Sequence, residues 1–171
     1  MDVLFIDIDG VLNTYSQLSA NEEWKNLERT ELNIDENKVK LLSKIVQSAE
    51  IKLIMHSGWR FFYDDSMNPI FRESEELSRI FCRNGIIVSG KTPDHSTEEI
   101  RQNRKFSLVK AEEIKIWLMQ HPDCEHYLII DDLDLHDDDL KQQQIQPDPA
   151  VGLTEYDVDR AIMYFSECKN K

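Results

Sequence analysis

The sequence has no apolar run long enough to span a bilayer, and its first residues lack the basic segment, apolar run and small-residue cleavage site of a secretory signal. We therefore expect a cytoplasmic protein with no membrane segment. At 171 residues the chain is also too short for two domains of ordinary size. We expect residues 1–171 to form one domain and the protein to be a monomer. A longer parent protein could carry a further region after this domain.

Cysteine is scarce, and its spacing fits neither a disulfide framework nor a cysteine-phosphatase loop. The three cysteines, Cys82, Cys124 and Cys168, are far apart and include no C-x-x-C pair, which favours a reducing compartment over a disulfide framework. A cysteine-phosphatase loop needs an arginine six positions after its cysteine. Val88 and Ile130 stand there for the first two cysteines, and no residue does for the third. The sequence therefore does not support a cysteine nucleophile of that kind.

Basic residues are outnumbered by acidic ones. The chain has 20 lysines and arginines against 33 aspartates and glutamates, a formal net charge of −13. This balance argues against a large nucleic-acid footprint, which requires clustered positive charge. The net charge does not exclude a small basic pocket within an acidic protein. Arg101, Arg104 and Lys105 group near the end of a polar, loop-like segment over residues 90–107.

Strand-like and helix-like segments alternate along the chain. Short apolar runs predict buried strands, and amphipathic patterns between them predict helices. The predicted strands cover residues 3–6, 51–55, 86–88, 127–130 and, at an edge, 141–146, while helices are predicted from a cap at Asp35, from Pro69, from Lys110 and from Glu155. This order predicts an α/β fold with a mostly parallel central sheet.

Two aspartates follow the first strand, one residue apart, in the string Asp7-Ile8-Asp9-Gly10-Val11-Leu12-Asn13. Alternation places the side chains of Asp7 and Asp9 on the same side of the strand end, with room for a cation between them. Gly10 then allows the backbone to turn sharply. Because ligands bind at the carboxyl edge of an open α/β sheet, this pair marks the predicted site.

Three further chemical groups are expected at the same edge. Ser57 follows the strand over residues 51–55 with a hydroxyl, and Lys110 begins a helix. Asp131-Asp132 follows the fourth strand. A carboxylate nucleophile, a hydroxyl, a fixed cation and an acidic metal-binding pair are the groups that phosphoryl transfer through an aspartyl-phosphate requires. Mg²⁺ suits such a site, because it prefers a few carboxylates together with water and phosphate oxygens.

These four motifs occur in the order found in the haloacid dehalogenase (HAD) superfamily of aspartyl phosphotransferases, which the chain resembles. The resemblance implies a HAD-like Rossmannoid three-layer sandwich with no large cap domain, and Mg²⁺ as the cofactor. It implies that Asp7 is the nucleophile and a metal ligand. Asp9 would be the general acid toward the leaving group and then the base toward water, and it would bind the metal through its backbone carbonyl.

The resemblance also implies roles for the remaining site residues. Ser57 would hydrogen-bond a phosphoryl oxygen, helped by the backbone N–H groups around Gly58, and Lys110 would neutralise the phosphoryl group and the carboxylates. Asp132 is the preferred direct metal ligand, since it takes the place of the aspartate in the superfamily's commoner Gly-Asp version. Asp131 would lie behind it in the second layer of the metal site or pair with Lys110.

The segment Trp59-Arg60-Phe61-Phe62-Tyr63 follows the second motif, and two interpretations of it stay open. The usual burial of aromatic side chains favours a helix start packed on the core. The alternative is a wall for an aromatic or extended substrate, with Arg60 binding an anion. His56, beside Ser57, is likewise either a substrate contact or a structural histidine.

One other motif match stands in the wrong context. Residues 85–92 satisfy the Walker A spacing G-x-x-x-x-G-K-T. The variable positions Ile86, Ile87 and Val88 resemble a strand rather than a loop that cradles phosphate, and Pro93 follows at once. This context argues against an NTPase.

The intervals between the motifs leave no room for a folded cap domain. About twenty residues separate the first motif from the first helix, so residues 14–33, which include Trp24, would form at most a flap or minimal lid. The resemblance then implies an open site that accepts macromolecular substrates.

The sequence favours a phosphoprotein substrate, with phosphotyrosine as a candidate, because a net charge of −13 repels polyanions. The alternatives are a polynucleotide-end phosphatase and a small-metabolite phosphatase. The strings Ser-Gly-Trp-Arg and Lys-Ala-Glu-Glu-Ile also resemble the branch of small HAD domains associated with RNA-repair proteins. A HAD-like binding module is the non-enzymatic alternative, which the presence of Asp7, Asp9 and Asp131-Asp132 disfavours.

Overall fold

The structure, a computed structural model, describes residues 1–14, 33–103 and 107–169. Within them, five strands form one sheet in the order β3-β2-β1-β4-β5, and every pairing is parallel. The strands are β1 (Asp2–Ile6), β2 (Ile51–Met55), β3 (Val88–Lys91), β4 (His126–Ile130) and β5 (Gln144–Ile145). The helices are α1 (Glu36–Ser48), α2 (Arg72–Arg83), α3 (Glu98–Asn103), α4 (Ser107–Gln120), α5 (Asp138–Lys141) and α6 (Glu155–Lys169), with a 3-10 turn at Gly58–Phe62.

The side chains of β1 alternate between two cores, one on each face of the sheet. Leu4 and Ile6 belong to the larger core, which packs against α1, α2 and α6. Val3 and Phe5 belong to the smaller core beneath α4 and α5. The sheet is thus the middle of three layers, and the predicted α/β fold with a parallel central sheet is confirmed.

The third strand lies two residues later than the sequence predicts. The strand expected over residues 86–88 is wrong at its start, because Ile86 turns into the core while Ile87 is 78% exposed. The pairing with β2, rather than strand propensity, selects the residues of β3 at this sheet edge. Gly90 and Lys91 of the Walker A match therefore lie within a strand, which rules out a phosphate-binding loop at that position.

Several other boundaries differ from the predictions. The helix expected from Lys110 begins at Ser107, and the segment expected to be loop-like over residues 90–107 contains α3. The helix expected from Pro69 begins at Arg72, because the Pro69 backbone forms a bridge with Tyr63 instead. The edge strand expected over residues 141–146 is reduced to the short β5, since the chain before it forms α5 behind an Asp137 cap. None of these shifts moves a predicted site residue away from the carboxyl edge of the sheet.

Several sequence features fall outside the described residues. Residues 15–32 are among these, and they include Trp24 and nearly all of the predicted flap. Arg104 and Lys105 lie outside as well, whereas Arg101 belongs to α3. None of the helices in the described part of the chain is long and apolar enough to cross a membrane.

Candidate active site

The carboxyl ends of β1, β2 and β4 lie side by side. Ile6 of β1 pairs in register with the last residues of β2 and β4, so Asp7, His56 and Asp131 come next at one edge. The backbone N–H of Asp7 extends the ladder by donating to the carbonyl of Ile130 at 2.9 Å. From β1 the chain builds outward to β3 and then returns to β4 on the other side of β1. The β1–β4 edge is therefore the switch point at which open α/β sheets bind ligands.

Lys110 joins the carboxylates of these two strand ends. It lies near the start of α4, and its Nζ donates to Oδ2 of Asp7 at 2.6 Å and to Oδ2 of Asp131 at 2.5 Å. All three side chains are almost completely buried. Burial alone would lower the pKa of Lys110, but attraction to the two carboxylates outweighs burial and raises that pKa above its ordinary value. The ammonium therefore stays charged.

The negative charge of the carboxylates at the site exceeds the positive charge of Lys110. Asp7, Asp131 and Asp132 each offer an oxygen, and these oxygens lie within 4.8 Å of one another. Burial, followed by repulsion from Asp7, raises the pKa of Asp131 to about 7 and that of Asp132 to about 6. Lys110 offsets this only in part. A cluster of carboxylate oxygens with uncompensated negative charge fits the Mg²⁺ that the HAD resemblance implies.

The two acids of the fourth motif have different surroundings. Both oxygens of Asp131 have partners, Lys110 on Oδ2 and the backbone N–H of Leu133 on Oδ1 at 2.9 Å. Asp132 instead lies against Gly10, where an added Cβ would sit 2.5 Å from its carboxylate. Gly10 also has a φ of +78°, which favours glycine. This geometry favours Asp132 as the direct metal ligand and Asp131 as the partner of Lys110.

Asp9 is held by side chains from two segments. Asn13 Nδ2 donates to Oδ1 of Asp9 at 2.7 Å, and Nε1 of Trp59 lies 3.2 Å from both carboxylate oxygens. Asn13 is itself fixed, because its Oδ1 accepts the backbone N–H of Gly10 at 3.0 Å. Asp9 is also more exposed than Asp7. The carboxylate is thus held by two side chains at the more exposed part of the site.

Ser57 reaches the same edge as the N-cap of the 3-10 turn after β2. Its Oγ accepts the backbone N–H of Trp59 at 3.3 Å, which leaves the hydroxyl proton for another acceptor such as a phosphoryl oxygen. Gly58 follows at the surface, and nothing lies within 4 Å of the place that its Cβ would take. A side chain at this position would therefore point into open space.

The structure places Arg60 in a buried ion pair. Its Nη2 donates to Oε1 of Glu113 at 2.8 Å and its Nη1 to the carbonyl of Ser57 at 3.2 Å. The same Glu113 oxygen accepts the backbone N–H of His95 at 3.0 Å. This geometry is at odds with the expectation that Arg60 binds an anion, because a guanidinium paired inside the protein does not face the substrate. The sequence reasoning missed Glu113, although it follows Lys110 by one helical turn.

His56 is fully buried and fits the structural interpretation. Its Nδ1 lies 3.3 Å from Oγ1 of Thr92, and its Nε2 lies 3.6 Å from Oδ2 of Asp131. Burial, together with repulsion from Lys110 and Arg60, holds the pKa of His56 well below its ordinary value, so the ring is neutral. Asn13 and Trp59 belong to segments that the sequence analysis named, but their contacts with Asp9 were not predicted. An Asn four positions after Asp9 is the signal that could have indicated one of them.

Comparison with known proteins found one family and no individual relative. No curated protein and no solved structure matches the chain. The family described as the HAD domain in Swiss Army Knife RNA repair proteins matches residues 3–158, a range that contains every site residue described above. The match spans far more than half of the sequence, so the chain belongs to this family of HAD domains.

Proposed function

We propose that the chain is a Mg²⁺-dependent phosphatase that removes a terminal phosphate from a nucleic acid through an aspartyl-phosphate intermediate. The observation that carries the reaction class is the contact of Lys110 with Asp7 and Asp131 at the switch point of the sheet, beside Asp132. The substrate class is supported by the match to the HAD domain of RNA repair proteins.

In the first step, a carboxylate oxygen of Asp7 attacks the phosphorus, and the bond from phosphorus to the leaving oxygen breaks. Lys110 already lies beside Asp7 and stabilises the negative charge of the transferring group. The hydroxyl of Ser57 donates a hydrogen bond to a phosphoryl oxygen. Asp9 gives its proton to the leaving oxygen, so the product departs as an alcohol rather than an alkoxide.

In the second step, water attacks the phosphorus of the phosphorylated Asp7. Asp9, now a carboxylate, accepts a proton from this water, and the bond between Asp7 and phosphorus breaks. One substrate ester and one water thus become an alcohol and inorganic phosphate. Mg²⁺ held by Asp7, Asp132 and the backbone carbonyl of Asp9 would draw negative charge from the phosphoryl oxygens.

The proposed substrate is a phosphorylated nucleic-acid end, whereas the net charge alone favoured a phosphoprotein. A net charge of −13 weakens long-range attraction to a polyanion, but a terminal phosphate needs only local complementarity. Arg101, Arg104 and Lys105 precede Lys110 in the chain and are candidates for that local charge. The family match therefore weighs more for the substrate than the overall composition does.

Release of inorganic phosphate from a matched panel tests the proposal. The panel contains one RNA oligonucleotide phosphorylated at its 3′ end, the same sequence phosphorylated at its 5′ end, phosphotyrosine and phosphoserine peptides, and a sugar phosphate. We expect one oligonucleotide to exceed every peptide in kcat/KM by roughly tenfold or more, since its recognition adds about 1.4 kcal/mol. EDTA and Asp7→Asn should abolish the activity. A preference for peptides overturns the substrate class, and full activity of Asp7→Asn overturns the covalent mechanism.

A further inference from the structure

Trp59 and Asn13 hold one carboxylate, that of Asp9, from two separate segments of the chain. Nε1 of Trp59 lies 3.2 Å from each carboxylate oxygen, so its N–H straddles the group. Asn13 contacts Oδ1 alone, at 2.7 Å. One donor on one oxygen leaves a carboxylate able to rotate, whereas a second donor that bridges both oxygens restricts that rotation.

The indole is itself fixed on the protein. The backbone N–H of Trp59 donates to Oγ of Ser57 at 3.3 Å, which fixes the backbone of Trp59 in the turn after β2. Its ring packs edge-on against Phe62 with centroids 5.7 Å apart, and Phe62 packs in the same manner against Phe71 at 5.5 Å. Trp59 and Phe62 both pack against the larger core, so the indole N–H reaches Asp9 from a side chain that is packed on the protein.

The three contacts divide unequally between the two oxygens of Asp9. Oδ1 accepts from both Asn13 and Trp59, whereas Oδ2 accepts only from Trp59 among the contacts that the structure describes. A carboxylate offers about four lone-pair positions, two on each oxygen. Oδ2 thus retains a position for a proton.

We propose that Trp59 is a positioning residue that aims the proton-carrying oxygen of Asp9, Oδ2, at the leaving oxygen of the substrate. This inference rests on the proposed function, in which Asp9 is the general acid. Small losses of alignment at a reacting group lower rates strongly. Removal of the indole N–H should therefore slow only those reactions whose leaving group needs a proton.

The leaving group supplies a test that a purely structural role would not pass. A ribose oxygen leaves as a strongly basic alkoxide unless it is protonated, whereas 4-nitrophenolate is a stable anion and leaves without a proton. Trp59→Phe keeps an aromatic ring at this position and removes the indole N–H. Its effect on kcat/KM, which reports the first step, should be roughly 10- to 100-fold for the phosphorylated oligonucleotide and less than about threefold for 4-nitrophenyl phosphate.

Two controls accompany this variant. Trp117→Phe makes the same substitution in the smaller core, away from Asp9, and should not change the ratio between the two substrates. Asp9→Asn should show the same selective loss as Trp59→Phe. Equal losses on both substrates in Trp59→Phe, or no loss on either, overturn the positioning role. A wild-type protein that hydrolyses neither substrate overturns the proposed function instead.

A second measurement needs neither activity nor the folding of Trp59→Phe. Indole N–H resonances are compared between the wild-type protein and Asp9→Ala by NMR. Loss of the acceptor should shift one indole proton upfield and speed its exchange with solvent. Indole resonances that stay unchanged show that the Trp59–Asp9 contact is not made in solution, and they overturn the inference.

Discussion

The Nζ of Lys110 lies 2.6 Å from Oδ2 of Asp7, so the cation and the nucleophile of the proposed reaction are in contact inside the protein. Both side chains are more than nine-tenths buried. Besides its role in the proposed reaction, the lysine neutralises carboxylates that have lost most of their water, so its removal would leave buried charges without a partner.

Replacement of Lys110 should damage activity and stability together. We expect Lys110→Met to lower kcat by roughly 100- to 1,000-fold, the loss found when a preorganised electrostatic contact is removed. It should also lower the free energy of unfolding by about 3–5 kcal/mol in the absence of metal, because Asp7 and Asp131 are left without their partner. Phosphate release and urea unfolding measure the two effects.

The matched control lies on the same helix. Lys115 is about half exposed and pairs with Asp137, so Lys115→Met should change the free energy of unfolding by less than about 1 kcal/mol. Its activity should stay at the wild-type level. Equal stability of the two lysine variants would contradict the electrostatic role assigned to Lys110.

Neutralisation of Asp132 should stabilise the metal-free protein above about pH 6. The folded state raises the pKa of this group from 3.8 to about 6, so between these values the folded protein binds more protons than the unfolded chain. Stability is thus lost as the pH rises to about 6, and the penalty is constant above it. Asp132→Asn removes that penalty, which is at most about 3 kcal/mol. Thermal unfolding in EDTA should show a higher unfolding temperature for Asp132→Asn than for the wild-type protein near neutral pH, and this difference should vanish at about pH 4.

Asp134→Asn is the control of opposite sign. Hydrogen bonds from the His136 backbone and from Lys141 hold the pKa of the exposed Asp134 below its ordinary value. Its charge therefore adds stability above the unfolded pKa, which is lost as the pH falls. This variant should show no gain near neutral pH. If Asp132→Asn is less stable than Asp134→Asn near neutral pH, the inference that the three carboxylates destabilise the metal-free protein is wrong.

Mg²⁺ should raise the unfolding temperature of the wild-type protein and leave that of Asp132→Asn nearly unchanged. A ligand that binds only the folded state stabilises it by about 2.7 kcal/mol at 100 times its Kd. Asp2→Asn is the control, because Asp2, Glu125 and His126 form a second group of possible ligands away from Lys110. A loss of the Mg²⁺ effect in Asp2→Asn instead would place the ion at the wrong end of the sheet.

Much of the candidate site could be predicted because it depends on strand ends. In a parallel sheet the residues after each strand meet at one edge, so Asp7 and Asp131 came together without any knowledge of side-chain geometry. Lys110 could be assigned because a lysine at a helix start before the fourth strand resembles the third motif of the HAD superfamily. These inferences needed the order of elements and not their exact boundaries, and they survived the errors at β3 and at the start of α2.

The remaining contacts depend on side chains that are distant in sequence. Arg60 meets Glu113 across 53 positions, and Trp59 meets Asp9 across 50. No periodicity predicts which of several polar side chains will pair once two segments pack. The start of β3 could not be predicted either, because Ile86 and Ile87 have the composition of a strand while pairing with β2 selects the residues after them.

Gly10→Ala should weaken Mg²⁺ binding in addition to lowering the free energy of unfolding. A Cβ at this position would lie 2.5 Å from the Asp132 carboxylate, and the φ of +78° is unfavourable for alanine. The backbone conformation should cost about 1–2 kcal/mol, and the displaced carboxylate should weaken Mg²⁺ binding. Gly58→Ala is the control, since its Cβ would meet nothing within 4 Å. Thermal unfolding with and without Mg²⁺ compares them, and equal Mg²⁺ affinity in both variants would contradict the prediction.

Arg60→Met distinguishes a structural arginine from one that binds the substrate. Glu113 is fully buried, so the loss of its partner should lower the free energy of unfolding by about 3–5 kcal/mol. The double variant Arg60→Met/Glu113→Leu should recover much of that loss, because no buried charge then remains unpaired. Arg79→Met, at an exposed pair with Glu76, should change stability by less than about 1 kcal/mol. Urea unfolding measures these effects. A rise in KM for the phosphorylated substrate that persists in the double variant would instead show that Arg60 contacts the phosphate.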